Sequence, residues 1–239
     1  MKSIILSAGF ATRLYPLTEN KSKSLLEING VPIINHIVNK IREISSDEII
    51  IVTNQKFYLD FLNWGEKNDY LNIKILDDGV STLEKKLGAI GDLLFVINKK
   101  KINEDLLVIS GDNLFRYSLT EPKEIFEKEK KDLSIFYDVK NLEEATRMGV
   151  VQVKDNTIID FQEKPQHPKS TLCSTSTYFF RKETIPLMKE YLKEPGNKDQ
   201  PGLFLEYLYK KVPVYAYITK EKWIDIGTFE SFQKAQTEF

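Results

Sequence analysis

A chain of 239 residues with 41% hydrophobic and 11% aromatic content can bury a sizeable core, which excludes a disordered polymer. Its 34 Lys and Arg balance 35 Asp and Glu, so a formal charge of −1 provides no general field for nucleic acid or an anionic membrane, and any anion must be held by a local cluster. The lone Cys173 excludes an internal disulfide or multi-cysteine metal site, Met1 to Leu6 is too short for a signal peptide, and no window approaches a membrane span, so a cytoplasmic protein is expected.

The first predicted strand, Ser3 to Leu6, runs through Ala8 and Gly9 into a basic turn carrying Thr12, Arg13, Lys21 and Lys23. A strand end of this kind offers bare N–H groups and cations to a polyphosphate, with Arg13 and Lys23 able to grip separate phosphates. The turn is not of the Walker form, since no GxxxxGK[ST] occurs. A helix follows over Pro32 to Glu43, with Ile33, Ile34, Ile37, Val38 and Ile41 on one stripe.

Further strands are predicted at Glu48 to Val52, Ile73 to Leu76, Leu106 to Ile109 and Leu133 to Tyr137. These runs are continuously apolar, as in strands buried on both faces, and helix-like segments separate them. A doubly wound, mostly parallel α/β sheet is expected. Ligands then bind beyond the carboxyl ends of the strands, which draws attention to the loop after strand one and to SGDN, Ser110 to Asn113.

Beyond about Asp138 the pattern shifts to alternating stretches, Gly149 to Val153 and Thr157 to Phe161, joined at Asp155 and Asn156 as a hairpin. A run from Ser174 to Phe180, a helix near Ile185 to Leu192 and a loop from Glu194 to Gly202 follow. One domain over 1–239 is expected, its second half (139–239) a substrate-facing layer sharing the sheet of the first (1–138). His36 on a core-adjacent helix and His167 in a Pro-flanked loop are poor general bases, and no GxSxG elbow exists. A dehydrogenase is excluded because no GxGxxG follows strand one and no acidic residue ends strand two.

The stretch LSAGFATRLYPLTENKSKSLLEINGVPII resembles the signature of the sugar-1-phosphate nucleotidyltransferases, nearest in pattern to glucose-1-phosphate thymidylyltransferases. Ala11 stands where that family usually has Gly, and Ser22 where it most often has Pro. GDN at Gly111 to Asn113, FQEKPQHPKS at Phe161 to Ser170 and KWIDIGTFESFQKA at Lys222 to Ala235 resemble further elements of the family. The resemblance implies a Rossmann-like nucleotidyltransferase fold with a sugar-binding annex. It also implies nucleotide contacts from Leu6, Ala8, Gly9, Thr12 and Gly88, and catalytic roles for Arg13 and Lys23. Magnesium would be held by Asp112 and Asp225, and sugar phosphate by Gly149, Glu163 and Lys164. Met148 replaces a usual aromatic, and Asp77 or Asp78 falls near a position where thymidylyltransferases often carry Gln.

The implied reaction is magnesium-dependent transfer of a nucleoside monophosphate from a triphosphate, dTTP or UTP, to a sugar 1-phosphate such as glucose 1-phosphate. The partners expected are those two substrates, with no nucleic acid or membrane, in a monomer or small homo-oligomer. Two alternatives remain open: a cytidylyltransferase acting on an alcohol phosphate such as phosphocholine, and a non-catalytic sugar-nucleotide-binding subunit. EKPQHPKS and WIDIGT favour the sugar enzyme, and retention of Arg13, Lys23, Asp112 and Asp225 favours catalysis. In the terminal segment Thr228 is expected to cap the last helix.

Overall fold

A computed structural model describes residues 1–44, 48–68, 72–196 and 198–239. The first strand, β1 (Lys2–Ser7), leads through the basic loop to two short paired strands, β2 (Glu27–Ile28) and β3 (Val31–Pro32). Next come α1 (Ile33–Arg42), β4 (Ile49–Thr53), α2 (Tyr58–Lys67), β5 (Ile73–Asp77), α3 (Ala89–Lys100) and β6 (Leu106–Ser110). The chain continues through β7 (Asn113–Phe115), α4 (Thr120–Glu129), β8 (Asp132–Asp138) and α5 (Leu142–Ala145). A hairpin of β9 (Gly149–Lys154) and β10 (Thr157–Glu163) precedes β11 (Leu172–Phe180), α6 (Ile185–Tyr191) and α7 (Pro201–Leu208). The last elements are β12 (Val214–Thr219), β13 (Trp223–Asp225) and α8 (Phe229–Glu238).

Among the described residues nine strands form one sheet in the order β5-β4-β1-β6-β11-β8-β12-β10-β9. The pairs joining β5, β4, β1 and β6 are parallel, and so is β8 with β12. The rest is antiparallel: β11 runs against both β6 and β8, and β10 against β12 and β9. The sheet is therefore mixed, parallel throughout its first four strands and, beyond them, only between β8 and β12. The two-residue turn of the hairpin, with Asp155 and Asn156 at φ 50 and 56, allows only antiparallel pairing.

Successive residues of the central strands serve opposite faces. Ile5, Ile49, Ile51, Leu107 and Ile109 meet the stripe of α1 with Phe61 and Trp64 of α2 and Phe126 of α4. Ile4, Ile50, Val52, Leu106 and Val108 meet Ile90, Leu93 and Ile97 of α3, Met188 of α6 and Phe204 of α7. Period-two alternation set against two helical layers explains the continuous apolar runs in the sequence. The expected loop from Glu194 to Gly202 ends earlier, because Pro201 and Gly202 open α7, where proline's missing N–H costs nothing; its Asn197 lies outside the described residues. Cys173 is buried and free, as expected. Among the described residues no helix is long and apolar enough to cross a membrane.

Candidate active site

The loop after β1 is tied down from three sides. The Gly111 N–H donates to the Leu6 carbonyl (2.8 Å), the Asn54 amide donates to the Ala8 carbonyl (2.8 Å), and the Thr18 hydroxyl donates to the Ala11 carbonyl (2.8 Å). Ala11 sits at φ 50, in the left-handed region that a side chain adopts at a cost of about 1 kcal/mol. That conformation is the physical reason a glycine suits the position. A β-carbon at Gly111 would run into the Ser7 and Ser24 hydroxyls, so the turn after β6 can lie flat on the end of β1 only as glycine.

Beyond these strand ends lies a cavity of about 410 Å³. Leu6, Ala8, Gly9, Thr12, Arg13, Lys23, Gly88 and Asp112 all line it, so every nucleotide-side candidate reaches one space. Gly88, at φ 77, is the N-terminal boundary of α3, and a β-carbon there would strike the backbone of Lys198 and Asp199. Its glycine thus serves a close backbone approach as well as the cavity wall.

The two aspartates meet through a ladder that the sequence conceals. β13 pairs antiparallel with β7, placing Asp225 opposite Asn113, and the Ile226 N–H donates to the Asp112 carbonyl (3.0 Å). Asn113 secures this ladder to the main sheet: its Oδ1 accepts from Trp223 Nε1 (3.0 Å) and its Nδ2 donates to the Thr175 carbonyl (2.7 Å). Burial, followed by the charge of Asp112, pushes the Asp225 carboxyl up to about 6, against the pull of Lys23, Arg13 and Lys164. Lys23 Nζ stands 2.5 Å from Asp112 Oδ2, so one cation already sits on the pair.

Two mutually repelling carboxylates that still attract cations fit Mg²⁺, a hard ion that commonly takes one or two carboxylates and completes its shell with water and phosphate. Among the described residues no third acidic, His or Cys ligand joins them, which suits an ion shared with substrate better than an all-protein cage.

A second cavity, of about 520 Å³, is lined by Lys164, Met148 and Asp225 together with Tyr137, Arg147 and Trp223. Arg13 lines both cavities. Gly149 and Glu163 line neither space. They face each other across the β9–β10 hairpin, where a β-carbon on Gly149 would come within 2.5 Å of Phe161 and 2.8 Å of Glu163 Oε2. Glu163 is instead tied to Lys164, 3.9 Å away, and both meet Gln200, whose amide, with its nitrogen turned to Glu163, donates to Glu163 Oε1 (2.9 Å) and accepts from Lys164 Nζ (2.7 Å). Burial pushes Glu163 up to about 7; Lys164 opposes the shift, and Glu206 and Asp225 add to it.

Three residues of this region escaped the sequence reading. Gln200 lies in a segment expected only as a loop, and Asn113 stands in the SGDN motif with no role of its own assigned. Asp92 lines the first cavity from α3. A signal for Asp92 existed: it falls four residues before Val96 on the buried stripe of an otherwise apolar helix, where a carboxyl calls for a reason. Of the two acidic residues noted near the base position, Asp78 is the one whose charge helps to raise Asp92, while Asp77 Oδ1 accepts from the Gly79 N–H (2.8 Å).

Similarity to known proteins agrees with this geometry. A family model described as Nucleotidyl transferase matches residues 2–239. The bifunctional protein GlmU of Methanocaldococcus jannaschii is 32% identical over 230 residues, 95% of this chain and 51% of that protein, so the chain spans about half the length of that relative. UTP–glucose-1-phosphate uridylyltransferase AglF of Haloferax volcanii is 27% identical, with 99% of this chain and 95% of that protein aligned. D-glycero-alpha-D-manno-heptose 1-phosphate guanylyltransferase of Aneurinibacillus thermoaerophilus is 29% identical over 100% of this chain and 98% of its own. Among solved structures, a putative glucose-1-phosphate thymidylyltransferase from Bacillus anthracis superposes with a TM-score of 0.85 at 26% identity, covering 99% of this chain and 94% of that one. Signature, fold and relatives converge, and the chain belongs to the nucleotidyl transferase family.

Proposed function

We propose that the chain transfers a nucleoside monophosphate from dTTP or UTP to a sugar 1-phosphate, taken here as glucose 1-phosphate, and releases pyrophosphate. The observation that carries this reading is Arg13, which lines the cavity of the phosphate loop and also the cavity of Lys164 and Asp225. A residue common to two spaces can act on a group passing between them. The division of the chain supports the same view: the first cavity is lined from residues before 139 apart from Asp199 and Pro201, and the second mostly from residues after it. Residues 1–138 are then the nucleotide half and 139–239 the sugar half of one domain.

In the reaction an oxygen of the acceptor phosphate attacks the α-phosphorus of the triphosphate. The bond to the β-bridging oxygen breaks in line, and the electron pair leaves with pyrophosphate. The nucleophile is already ionised, so no general base is needed; positioning and charge neutralisation do the catalysis. Arg13 neutralises charge growing on pyrophosphate, and Lys23 leaves Asp112 for the α-phosphate. Lys164 holds the acceptor phosphate, while Glu163 orients Lys164 and the sugar. Mg²⁺, held by Asp112 and Asp225, would supply a further positive charge at the α-phosphate.

Pyrophosphate release across a grid of nucleoside triphosphates and acceptors tests the assignment. Release with dTTP or UTP and glucose 1-phosphate is expected. Turnover confined to CTP with phosphocholine, or no turnover at all, would overturn it.

A further inference from the structure

Gln200 lines neither cavity, yet its backbone is held between the walls of both. Before it, Asp199 Oδ2 accepts from Lys86 Nζ (2.6 Å) and the Asp199 carbonyl accepts from the Ala89 N–H (3.4 Å). After it, Pro201 opens α7, and a residue before proline is pushed to the extended conformation that Gln200 has, at φ −107 and ψ 133. The Gln200 carbonyl accepts from the Leu203 N–H (3.2 Å). This is the N-cap position of α7, but the side chain makes no capping hydrogen bond to that helix. It turns to the end of β10 instead.

There Lys164 sits at φ 50, and its N–H donates to the Met148 carbonyl (3.0 Å). Lys164 Nζ is 3.9 Å from Glu163 Oε1 but 2.7 Å from the Gln200 amide oxygen, so Gln200 makes the shorter contact with the ammonium. The Gln200 amide nitrogen donates to Glu163 Oε1 (2.9 Å). An ammonium only donates, which fixes the amide with its oxygen toward Lys164 and its nitrogen toward Glu163. The far side of Glu163 is closed by α7, since a β-carbon on Gly202 would collide with Oε2 and the Glu163 N–H donates to Glu206 Oε2 (3.4 Å).

We propose that Gln200 is a positioning residue for the acceptor phosphate, its amide oxygen holding the Lys164 ammonium at the wall of the second cavity while its amide nitrogen is locked on Glu163. A lysine on a four-carbon stem has many rotamers, and selecting one before the substrate arrives spares that ordering on binding. A neutral amide suits the task. It occupies one of the three donors of the ammonium and cancels none of its charge, which stays available to a phosphate.

The inference rests on the reading that Lys164 holds the acceptor phosphate, and kinetics of the full chain separate the two. The substrates are glucose 1-phosphate and whichever of dTTP and UTP the wild type uses. Gln200→Met keeps the length of the side chain without either hydrogen bond, and Gln200→Asn keeps the amide but falls one methylene short. Both are expected to raise KM for glucose 1-phosphate about five- to tenfold, with KM for the triphosphate within about twofold. In a Lys164→Met background, Gln200→Met should change the glucose 1-phosphate KM by less than about twofold, because it acts through the lysine. A normal glucose 1-phosphate KM in either Gln200 variant overturns the inference, and should one of them fail to fold, the other decides. Equal rises in both KM values, or a further rise in the Lys164→Met background, overturn it as well. Lys164→Met with an unaltered glucose 1-phosphate KM, or a wild type that does not use this acceptor, overturns the proposed function and this inference with it.

Discussion

Arg13 lines both cavities. Removing a preorganised donor to transition-state charge typically costs about 10²- to 10³-fold in turnover. Arg13→Ala should therefore lower kcat by about that factor while the melting temperature hardly moves, which steady-state assay and calorimetry would check together. Gly202 offers a second test at this scale. A β-carbon there would collide with Glu163 Oε2 and lie 2.9 Å from its Cδ, so Gly202→Ala must push the carboxylate away from Gln200 and Lys164. KM for the sugar phosphate should rise severalfold with KM for the triphosphate unchanged; equal changes in both would show a general disturbance instead. Arg13, Lys23 and Asp112 were legible in the sequence because each follows a readable strand in a polar or charged motif, and Asp225 only because its WIDIGT segment resembles an element of the family. Gln200 was not, since its significance comes from a neighbour 37 positions away, Glu163, that no local pattern announces.

Among the elements, the short β7–β13 ladder sets the spacing of the two aspartates, and Asn113 holds that ladder. Asn113→Ala leaves the Trp223 N–H and the Thr175 carbonyl without their partner in a buried setting. Each orphaned group costs about 1 to 3 kcal/mol, so a loss of about 2 to 6 kcal/mol in urea unfolding is expected, together with weaker activation by Mg²⁺. A change near zero would show that the ladder is held by backbone pairing alone. α8 begins at a capping box, in which Thr228 accepts from the Ser231 N–H and Ser231 Oγ from the Thr228 N–H. Thr228→Ala should cost about 1 kcal/mol, and Thr228→Ser should recover most of it in the same titration. The Thr228 cap was readable in advance because capping is local chemistry. β7, β13 and β12 were not picked out: three-residue strands carry too few residues for a pattern, and β12 between β8 and β10 is defined by its partners.

At the scale of the molecule, buried carboxyls dominate the response to pH. Burial raises Asp92 to about 8, Glu163 to about 7 and Asp132 to about 6, each above its ordinary value near 4. For an acid raised in the folded state, the folded protein keeps a proton that the unfolded chain releases. Its contribution to stability is then whole below the unfolded value and is lost as pH climbs through the folded one. His36, lowered by burial, works the other way and costs stability as pH falls below its ordinary range. The melting temperature should therefore be highest on the acid side of neutrality, at about pH 5 to 6, and should fall toward pH 9. Asp92→Asn, which has no proton to lose there, should show a shallower fall between about pH 7 and 9 in calorimetry at constant ionic strength. A parallel fall in both proteins would place the titration elsewhere.

The sequence by itself determined the α/β class, the places of the buried central strands, the basic loop after the first of them and the family, because continuous apolar runs and charged strand ends are read over a few neighbouring residues. Only the tertiary structure decided that the sheet turns mixed after β6 and that Asp112 and Asp225 share a two-stranded ladder. It alone placed Gly149 and Glu163 against each other outside the cavity walls, and Asp92 in the wall of the first cavity. Those facts depend on contacts between distant segments, whose register and burial are chosen by packing of the whole chain and leave no periodic trace along it.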